Sequence, residues 1–263
     1  MVTVIRQIGA HRSGTNYCQW LMINNFDDII FMYSILGSKH FSMPNFYHNV
    51  DWVNGQFPLT NEQMDEIVRQ LEEQTAGWKK SCGSATPWAC SSNCLEECAY
   101  PNPKAVEHIK EAIKTASIKF VMCIKNPYAW FLSSIKHKPL KNLSRKEVIG
   151  KKISEWVALH EEWFQIYEKN KEAFFIFKYE DVIENTEGML KRISKKFDLK
   201  ETRKKFINNE NRLAPNGKVT KNKFDKNFYI KRLYMEQISQ KDIEIFRAFL
   251  PSELIEKMGY KIY

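Results

Sequence analysis

The chain has 263 residues, of which 43% are hydrophobic, enough for a core and too many for global disorder. No apolar run approaches the ~20 residues that cross a bilayer, and the opening MVTVIRQIGA lacks the basic and apolar regions of an export signal, so a cytoplasmic chain with no membrane partner is expected. The formal charge of +9, from 40 Lys+Arg against 31 Asp+Glu, favours an anionic partner; without a zinc-finger spacing, an RNA-binding signature or a basic tail, that partner is read as a phosphorylated or sulfated small molecule and not nucleic acid.

Residues 3–8 read as a β-strand that ends at Gly9, and residues 14–25 as a helix with Tyr17, Leu21 and Met22 on one face. Residues 29–36 are a second run of strand length, broken by Gly37. Residues 41–59 form an aromatic, Pro- and Gly-containing loop. Thr60 to Gln63 is a capping-box pattern that opens a helix to about Ala76. Residues 81–100 are irregular and carry Cys82, Cys90, Cys94 and Cys98. Their spacing departs from the C-x2-C of zinc knuckles, so free thiols packing a lid are expected and no metal is, with bound zinc as the lesser alternative and a disulfide only under oxidising conditions. Asn102–Pro103 opens a helix with Val106, Ile109 and Ile113 at helical spacing. A third strand follows at 118–124. A capping box at Ser144 to Glu147 starts a long helix through about Asn170, and residues 173–179 make a fourth strand. Helices dominate from 185 onward, apart from a basic loop around 211–226. Strands alternating with helices predict an α/β fold: a P-loop-like parallel sheet flanked by helices. The whole chain, 1–263, reads as one domain, with 41–102 as an irregular lid or insertion.

Two stretches carry chemistry. In IGAHRSGTN, residues 8–16, Gly9 and Gly14 hold the G-x-x-x-x-G spacing of a phosphate loop, and Thr15 follows. The lysine that a nucleotide-hydrolysing loop places after the second glycine is missing, and Arg12 stands two residues before it. Helix N-terminal amides, the hydroxyls of Ser13 and Thr15, and the permanently charged fork of Arg12 make an anion site. In KNPYAWFLSS, residues 125–134, Lys125 ends the third strand, Pro127 opens a helix, and Ser133 lies eight positions after the lysine. From there Lys125 and Ser133 reach one phosphate.

Together these segments resemble the sulfotransferases that use 3′-phosphoadenosine 5′-phosphosulfate (PAPS). The resemblance lies in Arg12-Ser13-Gly14-Thr15 as the 5′-phosphosulfate loop and in Lys125-Asn126-Pro127 with Ser133 as the 3′-phosphate motif. It continues in FKYEDVIENTEGMLKRISKKFDL (177–199) and in the FYIKRLY…MGY region (228–260), and leaves out 45–102. It implies PAPS as donor, 3′,5′-ADP (PAP) as product and no metal. It also implies that Arg12 meets the sulfuryl oxygens, while Ser13, Gly14, Thr15 and Asn16 hold the 5′-phosphate. Lys125 stands where the family usually has arginine, which exchanges a bidentate fork for a point charge. Lys218 and Lys221, with Lys223 beside them and Arg212 as a weaker candidate, are the cations for a basic loop over the 3′-phosphate. Tyr179, Glu180 and Asp181 match a family landmark whose role is read as structural, with Asp181 capping the next turn.

Transfer to an acceptor hydroxyl needs a base. His40 follows the second strand at the sheet edge where α/β folds bind ligands, with Lys39 beside it to stabilise the transferring group. His11, in the loop, is the weaker alternative, and His48 lies on the acceptor side. Phe46, Tyr47, Trp52, Trp78 and Trp88 suit a carbohydrate acceptor; a phenol or another small alcohol stays open. Two rival readings remain: a nucleotide or small-molecule kinase of the P-loop class, and a non-catalytic protein that binds an adenosine phosphate or a polyanion.

Overall fold

The computed structural model describes residues 3–32, 40, 60–78, 88–90, 118–202, 206–208 and 225–263. Among the described residues, five strands form one sheet: β1 (Thr3–Gly9), β2 (Ile29–Met32), β3 (Trp88–Cys90), β4 (Ile118–Ile124) and β5 (Phe174–Lys178), in the order β3-β2-β1-β4-β5. β2, β1, β4 and β5 run parallel, and β3 is antiparallel to β2 at the edge. The fold is therefore α/β with a four-strand parallel sheet flanked by helices. β3 falls in the stretch read as irregular. A three-residue Trp-Ala-Cys run is too short to show an alternation, and only its pairing with Ile30, Phe31 and Met32 defines it.

Alternation along each strand sends side chains to two cores, as a sheet covered on both faces requires. Val4, Ile8, Phe120 and Met122 face one core, with Ile149, Ile153, Trp156 and Trp163 of the long helix α4 (Arg145–Lys169). Ile5, Phe31, Val121 and Phe177 face the other, with Leu21 and Met22 of α1 (Thr15–Asn25) and Leu190 and Ile193 of α6 (Thr186–Phe197). α2 spans Asn61–Trp78, α3 Pro127–His137 and the short α5 Tyr179–Glu184. α7 (Lys226–Ile230), α8 (Gln240–Phe249) and α9 (Ser252–Lys257) complete the described helices. The expected helix after Asn102 and the remainder of the 29–36 run lie outside the described residues.

Helix starts follow local chemistry. Asn126 accepts from the Tyr128 amide at 3.1 Å with Pro127 at the first position of α3. Ser144 and Glu147 form the reciprocal capping box of α4. Asp181 does not cap the next helix: it sits in the first turn of α5, where an acid suits the dipole. Asn185 caps α6 instead, accepting from the Gly188 amide at 2.9 Å.

α4 also buries His160 completely. Its Nδ1–H donates to the Trp156 carbonyl at 2.6 Å, and its ring stacks on Trp156 at 3.9 Å. Burial disfavours the charged ring and pulls its pKa down to about 4. The unfolded chain binds this proton near pH 6.5 and the folded chain does not, so stability is lost as pH falls from about 6.5 to about 4, by up to about 3 kcal/mol. Urea unfolding across that window is expected to show the loss, and His160→Gln to flatten it. An unchanged slope in the variant contradicts the assignment.

Candidate active site

β1 is flanked by β2 on one side and β4 on the other, so the chain leaves the C-terminal ends of β1 and β4 in opposite directions. The crevice above such a reversal is where open α/β sheets take ligands. Loop 10–14 and the Lys125–Asn126 turn stand at this crevice.

Loop 10–14 is held by its carbonyls. His40 Nδ1 lies 2.7 Å from the Gly9 carbonyl, Ser13 Oγ donates to the Ala10 carbonyl at 2.7 Å, and Trp130 Nε1 donates to the His11 carbonyl at 2.6 Å. Three successive carbonyls are thus turned onto donors, and no side chain caps α1 at Gly14. An uncapped helix N-terminus reached through carbonyls turned elsewhere is a seat for an anion. Ser13 differs from the expectation. Its amide also goes to the Ala10 carbonyl, at 3.1 Å, and the residue is fully buried, so it shapes the turn and does not present its hydroxyl. Thr15 is buried as well, while Asn16 is exposed at the start of α1.

Both glycines are required by close approach. A Cβ on Gly9 would stand 2.8 Å from the Cys123 side chain and carbonyl. On Gly14, at φ 90°, it would stand 2.4 Å from Cδ2 of Tyr179. Arg12 also has a positive φ, 73°. Its exposed guanidinium donates through Nε to Ser133 Oγ on α3, at 3.3 Å. The two motifs, 121 positions apart, therefore meet through their own side chains.

His40 lies against the start of the same loop. A carbonyl only accepts, so the short contact to Gly9 puts a proton on Nδ1 and leaves Nε2 as the ring nitrogen turned away from that carbonyl. His11 stacks on the His40 ring at 3.8 Å. The weaker alternative and the favoured base are thus one pair. Lys39, His48, Lys218, Lys221, Phe46, Tyr47 and Trp52 lie outside the described residues, as do Cys82, Cys94 and Cys98. Trp78 ends α2 and Trp88 begins β3.

Lys125 is not the open cation that the sequence suggests. It is 1% exposed. Its ammonium lies 4.6 Å from the ring centre of Tyr179 and 4.4 Å from that of Tyr229, and Nζ is 3.4 Å from the Tyr229 hydroxyl. A phosphate reaching Lys125 has to displace one of these rings. Beside it, Glu180 accepts from the Asn126 amide at 3.0 Å and from the Tyr260 hydroxyl at 2.8 Å. Burial pushes the Glu180 carboxyl above its ordinary range, while these hydrogen bonds and the Lys125 charge pull it down. Tyr179 and Glu180, left out of the site by sequence reasoning, pack directly against Lys125 and Asn126. Trp130, inside the second motif, was missed too: a buried indole needs an acceptor for its N–H, but the acceptor here, at His11, lies 119 positions away.

No protein-family model matches the sequence, and no curated protein matches it. One solved structure similar to this chain is the sulfotransferase domain from the curacin biosynthetic pathway. The TM-score is 0.44 at 9% identity, over 100% of this chain and 99% of that one. Among the described residues, no group of three or more His, Cys, Asp or Glu is placed to hold a metal ion, and no helix is long and apolar enough to cross a membrane.

Proposed function

We propose that the chain is a sulfotransferase that moves a sulfuryl group from PAPS to an acceptor hydroxyl and releases PAP. The observation that carries this reading is the Arg12–Ser133 hydrogen bond at the crevice between β1 and β4, which joins the 5′-phosphosulfate motif to the 3′-phosphate motif. The loop fits an anionic donor through the uncapped N-terminus of α1, with Arg12 beside it.

The donor supplies a sulfuryl group on a phosphosulfate anhydride. Thr15, Asn16 and the amides at Gly14 would hold its 5′-phosphate. Ser133 would hold its 3′-phosphate, with Lys125 once Tyr229 turns aside and with Lys218 and Lys221 from the 209–224 segment. His40 takes the acceptor's proton on Nε2, its Nδ1–H kept on the Gly9 carbonyl. Arg12 offsets the negative charge that builds at the loop, and Lys39 adds a second cation. Phe46, Tyr47 and Trp52 support a carbohydrate acceptor.

A double-mutant cycle tests the pairing. Arg12→Ala and Ser133→Ala are each expected to weaken PAP binding by roughly tenfold, as for loss of a charge-assisted contact. Because the two side chains touch, the double variant is expected to lose less than the product of the single effects. Wild-type affinity in both single variants overturns the reading.

A further inference from the structure

Away from the crevice, the turn between α3 and α4 gathers charge and apolar surface in one place. IKHKPLKNLSRKEVIGKK, residues 135–152, holds seven Lys or Arg and one acid, Glu147. That acid is engaged at its own helix cap, where it accepts from the Ser144 amide at 2.7 Å. Arg145 pairs with Asp242 at 3.0 Å and Lys152 with Glu155 at 3.5 Å. Lys136, Lys138, Lys141, Lys146 and Lys151 are in no ion pair among the described residues, and Lys136, Lys138, Lys141, Lys146 and Lys151 are all exposed.

Between these lysines lies an open groove of about 410 Å³ lined by Ile135, Pro139, Leu140, Leu143 and Val148, with Lys136 and Arg145 at its rim. Leu143 is 40% exposed and Phe249 is 37% exposed, and they are the exposed large apolar side chains among the described residues. Both border α4: Leu143 precedes its cap, and Phe249 covers Gly150, where an added Cβ would meet its ring at 2.9 Å. Leu143 also holds the staple position against Val148, which accounts for its inner edge but not for the part left in water.

We infer that this turn docks the protein on an anionic lipid surface, with the lysines on the headgroups and Leu143 and Leu140 at the acyl boundary. Charge complementarity selects the occupant: clustered Lys and Arg interleaved with aliphatic side chains on an exposed turn match an acidic bilayer surface, and the mixture is poorly suited to a neutral one. The absence of a spanning run concerns crossing a bilayer and leaves lying on one open, so this inference replaces the expectation of no membrane partner. It is independent of the proposed sulfuryl transfer.

The test is co-sedimentation of the full chain with vesicles of phosphatidylcholine alone and of phosphatidylcholine mixed with phosphatidylglycerol. Binding is expected only to the acidic vesicles and to weaken as salt rises. Lys138→Glu with Lys141→Glu is expected to lower it at least about tenfold. Leu143→Ser is expected to lower it roughly 3- to 10-fold, with the thermal midpoint of both variants near that of the parent. Equal binding to both vesicle types, no binding to either, or binding indifferent to the lysine reversals overturns the inference. So does binding indifferent to Leu143→Ser, which marks a plain polyanion surface, and so does a dimer that Leu143→Ser dissociates, which marks contact with a second copy.

Discussion

His40→Ala is expected to lower sulfuryl transfer by about 10²- to 10⁴-fold, the range for removing a positioned base, while leaving PAP binding in place. The imidazole is held at both faces of its chemistry: Nδ1–H on the Gly9 carbonyl and one ring face on His11. Truncation removes the base that we propose and also the contact that holds the Gly9 carbonyl, so a second variant separates the two roles. His40→Asn keeps an N–H that reaches toward the Gly9 carbonyl and supplies no base at neutral pH. It is expected to bind PAP as the parent does and to turn over no faster than His40→Ala. Parent-like turnover in His40→Asn would move the base elsewhere, and His11, stacked on the same ring, is the residue to replace next.

Gly14→Val is expected to cost at least about 3 kcal/mol of stability and to abolish PAP binding. Two effects act together. The φ of 90° is a left-handed conformation that a β-branched residue adopts only under strain. The new side chain would also begin 2.4 Å from Tyr179, a buried ring edge-on to both Tyr17 and Tyr229. That ring cannot retreat without disturbing the box around Lys125. Urea unfolding and PAP titration check the result. A variant with parent stability would mean that the loop is free to adopt another shape.

The parts of the fold that were legible in the sequence rest on local patterns. The strand at 118–124 and the Ser144–Glu147 cap are written in neighbouring residues, and both stand where the sequence puts them. That the two glycine- and proline-marked segments meet was legible for a different reason: each follows a parallel strand, and adjacent strands bring such ends together. What sequence reasoning missed is set by distant contacts. Lys125 is enclosed by Tyr229, 104 positions away, and loop 10–14 is fixed by Trp130, 119 positions from His11. No spacing rule reports such partners. Ser13 differs from its reading on a local ground: a hydroxyl in a glycine loop reads the same whether it faces a ligand or closes its own turn at Ala10, three positions away. Asp181 and Asn185 show the local limit: both side chains are competent caps, but the short α5 takes Asp181 into its own first turn and leaves Asn185 to cap α6.

Thermal unfolding with 3′,5′-ADP, 5′-ADP and ATP–Mg²⁺ tests the central claim most directly. Ligand at 100 times its dissociation constant adds about 2.7 kcal/mol, which is several degrees for a chain of this size. The account predicts a rise with 3′,5′-ADP that exceeds the rise with 5′-ADP and is absent with ATP–Mg²⁺. A rise with ATP–Mg²⁺ alone would contradict it and assign the loop to phosphoryl chemistry.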